Sequence, residues 1–146
     1  MAYVFDAELV DYPDVGARIA LGGTDTLESL HELLREAFGW TDPHLYSFWL
    51  DGEFWGDPES EYTAPDELEP GQQSAAVAVG ELEFEPGGQI AYVFDFGDSW
   101  NVLLTLAGIE DVNPPLPRIV DRWGEPPPQY REAAYDYDYF ELGGSE

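Results

Sequence analysis

Short stretches in which apolar and polar positions alternate run along much of the chain and predict β-strands. The clearest lies at residues 90–100, where β-branched and aromatic side chains suit a pleated surface. Every second residue there is large, apolar and expected on one face: Ile90, Tyr92, Phe94 and Phe96. A Gly-Asp turn follows, with Gly97 expected at positive φ, and residues 101–109 predict the second strand of a hairpin.

Three further strands are predicted from the same kind of pattern. Residues 3–10 alternate well, and residues 17–21 form a short second strand that we expect to be antiparallel to the first. Residues 44–50 form a third strand. Asp51-Gly52 is a hairpin signal, so we expect residues 53–55 to pair back onto that third strand.

One stretch has the spacing of an amphipathic helix. Its apolar residues fall on one stripe: Leu27, Leu30, Leu34 and Phe38. Thr24 or Asp25 is the expected N-cap, since Asp25 and Glu28 have the spacing of a capping box. Gly39 suits the position just after the helix, where a left-handed residue is common.

These elements predict an α+β fold, with a twisted antiparallel sheet of about five or six strands and one main helix packed on a face. We expect residues 1–146 to form a single domain. Its core spans about residues 3–112, and residues 113–146 form a Pro-rich and then acidic, aromatic C-terminal segment. Residues 57–74 are polar and rich in proline, which predicts a long surface loop.

Charge narrows the possible partners. Thirty-one Asp and Glu residues face five Arg and no Lys, which gives a formal net charge of −26. A surface this acidic repels nucleic acid and anionic membrane, so no direct nucleic-acid binding and no membrane binding is expected. The acidity has three possible origins: adaptation to high intracellular salt, mimicry of nucleic acid, or an acidic surface with no special role.

The chain contains no cysteine, which rules out disulfides and thiolate metal sites. Small secreted domains often depend on disulfides, so a cytoplasmic location is expected. No signal peptide is visible, and no apolar run approaches the roughly 18 residues of a membrane helix.

Candidate site chemistry rests on two histidines and nearby carboxylates. His31, His44 and Asp98 are the possible metal ligands, with Asp42 and Asp95 beside them. Two histidines without cysteine are too few for a tightly held metal, so no metal and no cofactor are expected. His31 lies beside Leu27 and Leu34 on the helix, which favours a partly buried structural histidine.

Asp95 and Asp98 flank the Phe96-Gly97 pair and have two possible roles. They can act as paired carboxylates in acid–base catalysis, together with His44. The alternative is structural: Asp98 caps the turn, and Asp95 accepts a hydrogen bond from a neighbouring loop.

The tryptophans offer a second kind of site. Four of them are candidates for binding an apolar or cationic ligand: Trp40, Trp49, Trp55 and Trp100. An acidic groove lined with aromatic rings suits a basic protein or peptide. The alternative is that these rings belong to the core and its rim.

Four segments occur in a characteristic order: LHELLREAFGW at residues 30–40, HLYSFWLDG at 44–52, a PGG lead-in, and YVFDFGDSW at 92–100. In this the chain resembles the plasmid ORF-three-like family of the Ri-plasmid type, some members of which are labelled transposon passenger proteins. The resemblance covers about residues 3–109. It implies a compact α+β domain with a helix packed on an antiparallel sheet, and no established reaction.

The chain departs from the family pattern at several positions. Members commonly carry a histidine where this chain has Tyr46, and another where it has Val102. The usual basic Trp-Arg-Arg segment in the second strand is Gly16-Ala17-Arg18 here, and a cysteine-containing motif near the C-terminus is absent. If the family histidines form a site, this member has lost part of it.

The sequence therefore favours a non-enzymatic binding or interaction module in the cytoplasm. One alternative is a metal-assisted enzyme that uses His31, His44 and Asp98. A second alternative is an acidic regulator that mimics DNA. The deciding observation is whether His31, His44 and Asp98 meet in space.

Overall fold

Eight strands form one sheet in the computed structural model, which describes residues 1–130. The strands are β1 (Ala2–Leu9), β2 (Tyr12–Gly22), β3 (Tyr46–Trp49), β4 (Glu61–Thr63), β5 (Gln73–Ser74), β6 (Gln89–Phe94), β7 (Trp100–Glu110) and β8 (Arg118–Trp123). Within these residues there is one α-helix, α1 (Leu27–Phe38). Three short 3₁₀ turns complete the regular structure: Pro58–Ser60, Pro65–Glu67 and Val79–Glu81.

The strand order is β5-β4-β3-β6-β7-β1-β2-β8, and neighbouring strands are antiparallel except for the parallel pair β4 and β5. The predicted α+β class with one main helix is confirmed. The prediction of five or six strands in a purely antiparallel sheet was wrong. Two of the extra strands, β4 and β5, lie in the stretch predicted to be a loop. β4 is a strand because it pairs with β3, and β5 because it pairs with β4, and neither is marked by its local sequence.

The predicted hairpin at the centre of the sheet is confirmed, with Phe94 opposite Trp100 in the β6–β7 pair. Its turn is built differently from the prediction. Asp95 (φ 65°) and Ser99 (φ 55°) occupy the left-handed region, and Gly97 does not have a positive φ. The left-handed residue after Phe94 breaks the alternation, so Phe96 packs on the face opposite to Phe94.

Helix α1 begins one or two residues later than predicted, since neither Thr24 nor Asp25 is its N-cap. Its N-cap is Thr26, whose hydroxyl accepts a hydrogen bond from the Ser29 backbone N–H at 3.0 Å. Asp25 instead accepts from the backbone N–H of Gly22 at 2.7 Å. The predicted end is confirmed, since Gly39 has a φ of 76° and its N–H bonds to the carbonyl of Arg35.

The predicted pairing of residues 53–55 with β3 was wrong. A tight turn does follow β3, with the N–H of Gly52 bonded to the carbonyl of Trp49. Beyond it, Trp55 adopts a φ of 55°, which is incompatible with a continuing strand. On the side where residues 53–55 were expected, β3 pairs instead with β4, with Trp49 opposite Glu61.

The main core lies between α1 and one face of the sheet. The four residues of the predicted helix stripe are buried there together with Phe94 and Trp100: Leu27, Leu30, Leu34 and Phe38. On the opposite face a smaller cluster contains Trp49, Ala91 and Val93, covered by Phe54 and Phe96.

Both outer strands of the sheet are irregular. β5 has only two residues. β8 pairs with β2, but its register shifts so that Val120 has no partner opposite, and Arg118 and Arg122 flank it. Short strands, bulges and charges are the usual features that discourage further pairing at a sheet edge.

No helix in residues 1–130 is both long and apolar enough to cross a membrane. The predicted acidic, aromatic end of the chain lies outside the described residues from residue 131 onwards.

Candidate functional site

A cleft with a volume of about 530 Å³ opens between α1, the start of β3 and the 65–67 turn. Its floor is buried and includes His31, Tyr46 and Ala64. Carboxylates from the helix and from the 65–67 turn surround this floor: Glu28, Glu32, Asp66 and Glu67. Pro43, His44 and Leu45 close the cleft on the third side.

His31 forms part of the floor as a neutral side chain. It is 6% exposed, and its ring is stacked on Tyr46 with 3.5 Å between centroids. A hydrogen bond of 2.7 Å joins its Nδ1 to the hydroxyl of buried Tyr92. Burial, and then the nearby Arg35 guanidinium, lower the pKa of His31 to about 3. The imidazole is therefore uncharged at neutral pH and serves as a polar core residue.

Tyr46 carries an unsatisfied hydroxyl. The residue is 4% exposed, and its hydroxyl oxygen has no hydrogen-bond partner among residues 1–130. Burial raises the pKa of this hydroxyl, and the charges of Glu28, Glu32 and Asp66 raise it further. Tyr46 and these three carboxylates all line the cleft.

The cation that lines the cleft is already engaged. Arg35 donates from Nε to the carbonyl of Trp40 at 3.1 Å and from Nη2 to that of Thr41 at 2.7 Å. Its Nη1 contacts Glu32 at 3.5 Å. The guanidinium therefore fixes the end of α1 and neutralises only part of the negative charge of the cleft.

His44 belongs to a hydrogen-bond network at the third side of the cleft. Its Nε2 lies 2.9 Å from the hydroxyl oxygen of Tyr130 and 3.4 Å from Oδ2 of Asp95. The same Tyr130 hydroxyl donates to Oδ2 of Asp42 at 2.9 Å. That hydrogen bond and the nearby carboxylates raise the pKa of Tyr130.

Asp95 is held firmly in this network. It is 6% exposed, and its Oδ1 accepts hydrogen bonds from the backbone N–H groups of Gly97 at 3.2 Å and Asp98 at 3.3 Å. The carboxylate of Asp95 therefore accepts hydrogen bonds from loop N–H groups, as the structural alternative predicts, and it caps the turn; a capping role for the side chain of Asp98 stays a prediction. The left-handed φ of Asp95 directs its other oxygen towards His44.

Gln129 ties the end of the described chain to this region. Its side chain accepts from the N–H of Asp42 at 3.2 Å and donates to the carbonyl of Asp42 at 3.0 Å. Its own carbonyl accepts from Nε1 of Trp100 at 3.1 Å. These contacts hold Tyr130 in place beside His44.

The structure brings some predicted site residues together and not others. His31 and His44 line one cleft, whereas Asp98 does not line it. His44 and Asp95, two of the predicted catalytic candidates, form a close pair. In residues 1–130, no three His, Asp or Glu side chains are grouped so that they could hold a metal ion. The expectation of no bound metal stays a prediction.

Three of the four predicted binding tryptophans lie in the interior. Trp40, Trp49 and Trp100 are at most 2% exposed, whereas Trp55 is 51% exposed. Trp55 packs against Trp49 and Phe96 on the sheet face opposite to α1, away from the cleft. A ligand can reach the ring of Trp55 without opening the core, and a binding role for any of the four stays a prediction.

Sequence reasoning missed several residues of the site. The sequence contained a signal for Tyr46 as a site residue, since it stands where family members commonly carry a histidine. Gln129 and Tyr130 had none, because 86 residues separate Tyr130 from His44 and only the fold brings them together.

Comparison with known proteins gives the family. The model of the plasmid pRiA4b ORF-3-like proteins matches residues 2–141. The chain belongs to this family. The match confirms the resemblance seen in the sequence and extends beyond residues 3–109, the part on which that resemblance rested.

Two relatives of this plasmid pRiA4b ORF-3-like protein add fold and length information. The uncharacterized protein y4hQ of Sinorhizobium fredii is 31% identical over 134 residues, which are 88% of this chain and 64% of y4hQ. A crystal structure of a protein of unknown function from Methanosarcina mazei matches with a TM-score of 0.72 at 18% identity, covering 99% of this chain and 82% of that one. This structural likeness shows the shared fold, and neither relative brings an established reaction.

Proposed function

We propose that this protein is a non-enzymatic binding module of the cytoplasm, whose cleft takes a basic segment of a partner protein. The observation that carries the proposal is the lining of the cleft. Four carboxylates surround it, against one guanidinium that is already bonded to backbone carbonyls. A cationic segment would complement this charge.

The size and openness of the cleft support a peptide partner. A volume of about 530 Å³ suits one or two side chains. The exposed carboxylates Asp66 and Glu67 stand at its edge, where a segment of another protein can approach. The net charge of −26 would draw basic partners towards the surface before they dock.

The cytoplasmic part of the proposal rests on the cysteine content. The chain has no cysteine, so its stability uses no disulfide. This is typical of proteins from reducing compartments.

The test is a titration with a lysine-containing nonapeptide, followed by calorimetry and by NMR shifts. The double variant Asp66→Asn/Glu67→Gln removes two charges from the cleft. The matched control, Glu53→Gln/Asp111→Asn, removes two exposed charges that do not line it. We expect the cleft variant to lose about 3- to 10-fold more affinity than the control, since each exposed charge pair contributes up to about 1 kcal/mol.

Equal losses of affinity in the two variants would show that the cleft is not the binding site. Binding would then depend on total charge, which is what the DNA-mimicking alternative requires. That alternative predicts in addition that basic DNA-binding proteins bind as well as the nonapeptide does.

A further inference from the structure

We propose that the cleft is a site for a single alkylammonium group, the end of a lysine side chain, and that His44 Nδ1 accepts a hydrogen bond from it. The inference rests on the proposed function and deepens it. It assigns the chemical class of the ligand and the residue that recognises it.

The tautomer of His44 follows from its partners. Ionised Asp42 only accepts hydrogen bonds, so the single hydroxyl proton of Tyr130 is donated to Asp42. The Tyr130 oxygen must then accept from Nε2–H of His44, and Oδ2 of Asp95 is a second acceptor beside the same nitrogen. In the neutral imidazole the proton is therefore on Nε2, and Nδ1 has a free lone pair.

Nδ1 is available to a ligand. No residue among the first 130 bonds to it, and the side chain of His44 is 33% exposed while lining the cleft. The network that occupies Nε2 also limits rotation of the ring, because a flip would put Cε1–H in the place of Nε2–H and lose the hydrogen bond to Tyr130. The fold thus presents a fixed hydrogen-bond acceptor to the cleft.

The other lining groups are also acceptors. The four carboxylates accept only, and the donors of Arg35 are directed at Trp40, Thr41 and Glu32. A ligand that matches this lining must bring donors and positive charge and no acceptors. An ammonium group has three donors and no acceptor.

The hydroxyl of Tyr46 is an independent sign of a missing partner. It is buried and unpaired among the described residues, which is an unfavourable state for a polar group, and its residue lines the cleft. An ammonium donor in the cleft would satisfy this oxygen after a small shift of the ring towards the cleft. This observation does not depend on the number of carboxylates.

The arrangement of the acceptors favours ammonium over guanidinium. They come from three elements around the cleft: α1, the start of β3 and the 65–67 turn. The compact ammonium group, with its tetrahedral donors, suits such surroundings better than the planar guanidinium group. The chain itself contains no lysine, so a lysine side chain that enters the cleft comes from a different molecule.

The first test reads the imidazoles directly. The chain has two histidines, so protein labelled with ¹⁵N-histidine gives two ring systems, and the His44→Phe variant assigns them. We expect the Nε2–H tautomer at His44. Adding the tripeptide acetyl-Gly-Lys-Gly-amide should shift Nδ1 of His44 strongly and the ring of His31, which lies in the cleft floor, much less. An Nδ1–H tautomer, or an equal response of both histidines, would overturn the proposal.

The second test compares affinities in high salt, where non-specific attraction is screened. His44→Phe should weaken binding of the lysine tripeptide about 10- to 100-fold, as expected for one hydrogen bond to a charged group. The Tyr130→Phe variant keeps Nδ1 of His44 and should therefore lose less affinity. The arginine analogue of the tripeptide should bind more weakly than the lysine form, and tighter binding of arginine would contradict the ammonium assignment.

The outcomes separate this inference from the function on which it rests. If Asp66→Asn/Glu67→Gln weakens binding and His44→Phe does not, the binding module stands and the role of His44 is rejected. If free spermidine binds more tightly than the lysine tripeptide, a free polyamine replaces the lysine of a partner as the source of the ammonium. If neither probe binds the wild-type protein, both proposals fail.

Discussion

The imidazole of His31 lies flat on the phenol ring of Tyr46, with 3.5 Å between the ring centroids and 8° between the planes. One ring comes from α1 and the other from β3, so the stack joins the helix to the sheet at the floor of the cleft. Both residues are at most 6% exposed. A polar side chain is therefore part of the packing, and its protonation has a consequence for stability.

We expect His31 to make the protein less stable in acid. Its pKa is lowered from 6.5 to about 3 on folding, so between these values the unfolded chain binds a proton that the folded chain does not. The free energy of unfolding should fall as pH decreases through this range, by at most about 1.4 kcal/mol per pH unit.

Urea unfolding of wild type and His31→Phe over about pH 5 to 6.5 isolates this effect, since most carboxylates stay ionised there. Phenylalanine keeps a ring against Tyr46 and removes the titration, so its profile should be flatter. His44→Phe removes the other histidine as a control. Parallel profiles for wild type and His31→Phe would show that the buried imidazole does not control acid stability.

Trp100 is expected to be one of the largest single contributors to the core. It is 1% exposed and lies 5.5 Å from Trp40 between ring centroids. Trp100→Ala should lower the free energy of unfolding by about 3–5 kcal/mol, as truncation of a large buried aromatic residue does. Trp100→Phe keeps most of the packing and loses the bond to Gln129, so it should cost less. A loss below about 1 kcal/mol for alanine would be a surface-like effect and would contradict the placement.

Asp95 combines a left-handed backbone with a capping carboxylate, and its variants should separate the two. Asp95→Ala loses both the acceptor for two backbone N–H groups and a side chain that tolerates φ of 65°, so we expect a loss of about 1–3 kcal/mol. Asp95→Asn keeps an oxygen and tolerates this φ, and should cost least.

Asp95→Gly adopts the left-handed conformation without strain but loses the capping carboxylate. Its stability should therefore lie between those of Asp95→Asn and Asp95→Ala. Thermal unfolding of the three variants gives the order. If Asp95→Ala were as stable as Asp95→Asn, neither the cap nor the left-handed backbone at this position would contribute to stability.

Stability is expected to rise with salt. At a net charge of −26 the folded surface repels itself, and the Debye length falls from about 10 Å at 0.1 M to about 3 Å at 1 M salt. The melting temperature should therefore increase in KCl over this range. A flat or falling midpoint would argue against both self-repulsion and adaptation to salt.

Much of the central fold was predictable because its signals are local. The stripe on α1, the left-handed Gly39 and the β6–β7 hairpin follow from periodicity and turn chemistry. β4 was not predictable, because Glu-Tyr-Thr at residues 61–63 has no alternation of its own and becomes a strand by pairing with β3. The same holds for β8, which is partly exposed and depends on β2.

The site was predictable only in its residue types. His31, His44 and Asp95 were identified as candidates. The contact between His44 and Asp95 depends on the left-handed conformation of Asp95, whereas the sequence predicted a left-handed residue at Gly97. The cleft itself requires the 65–67 turn, which lies in a stretch that resembles an unstructured loop. Tertiary contacts decide both features, and no local pattern encodes them.

The irregular outer strands limit how this protein can meet others. A two-residue strand at one edge and a bulged, arginine-flanked strand at the other offer little backbone to an incoming chain. For the proposed partner we therefore expect no extension of the sheet, which is a mode that tolerates many sequences. If recognition comes from side chains instead, changes of single residues at the surface would change the choice of partner while the architecture stays the same.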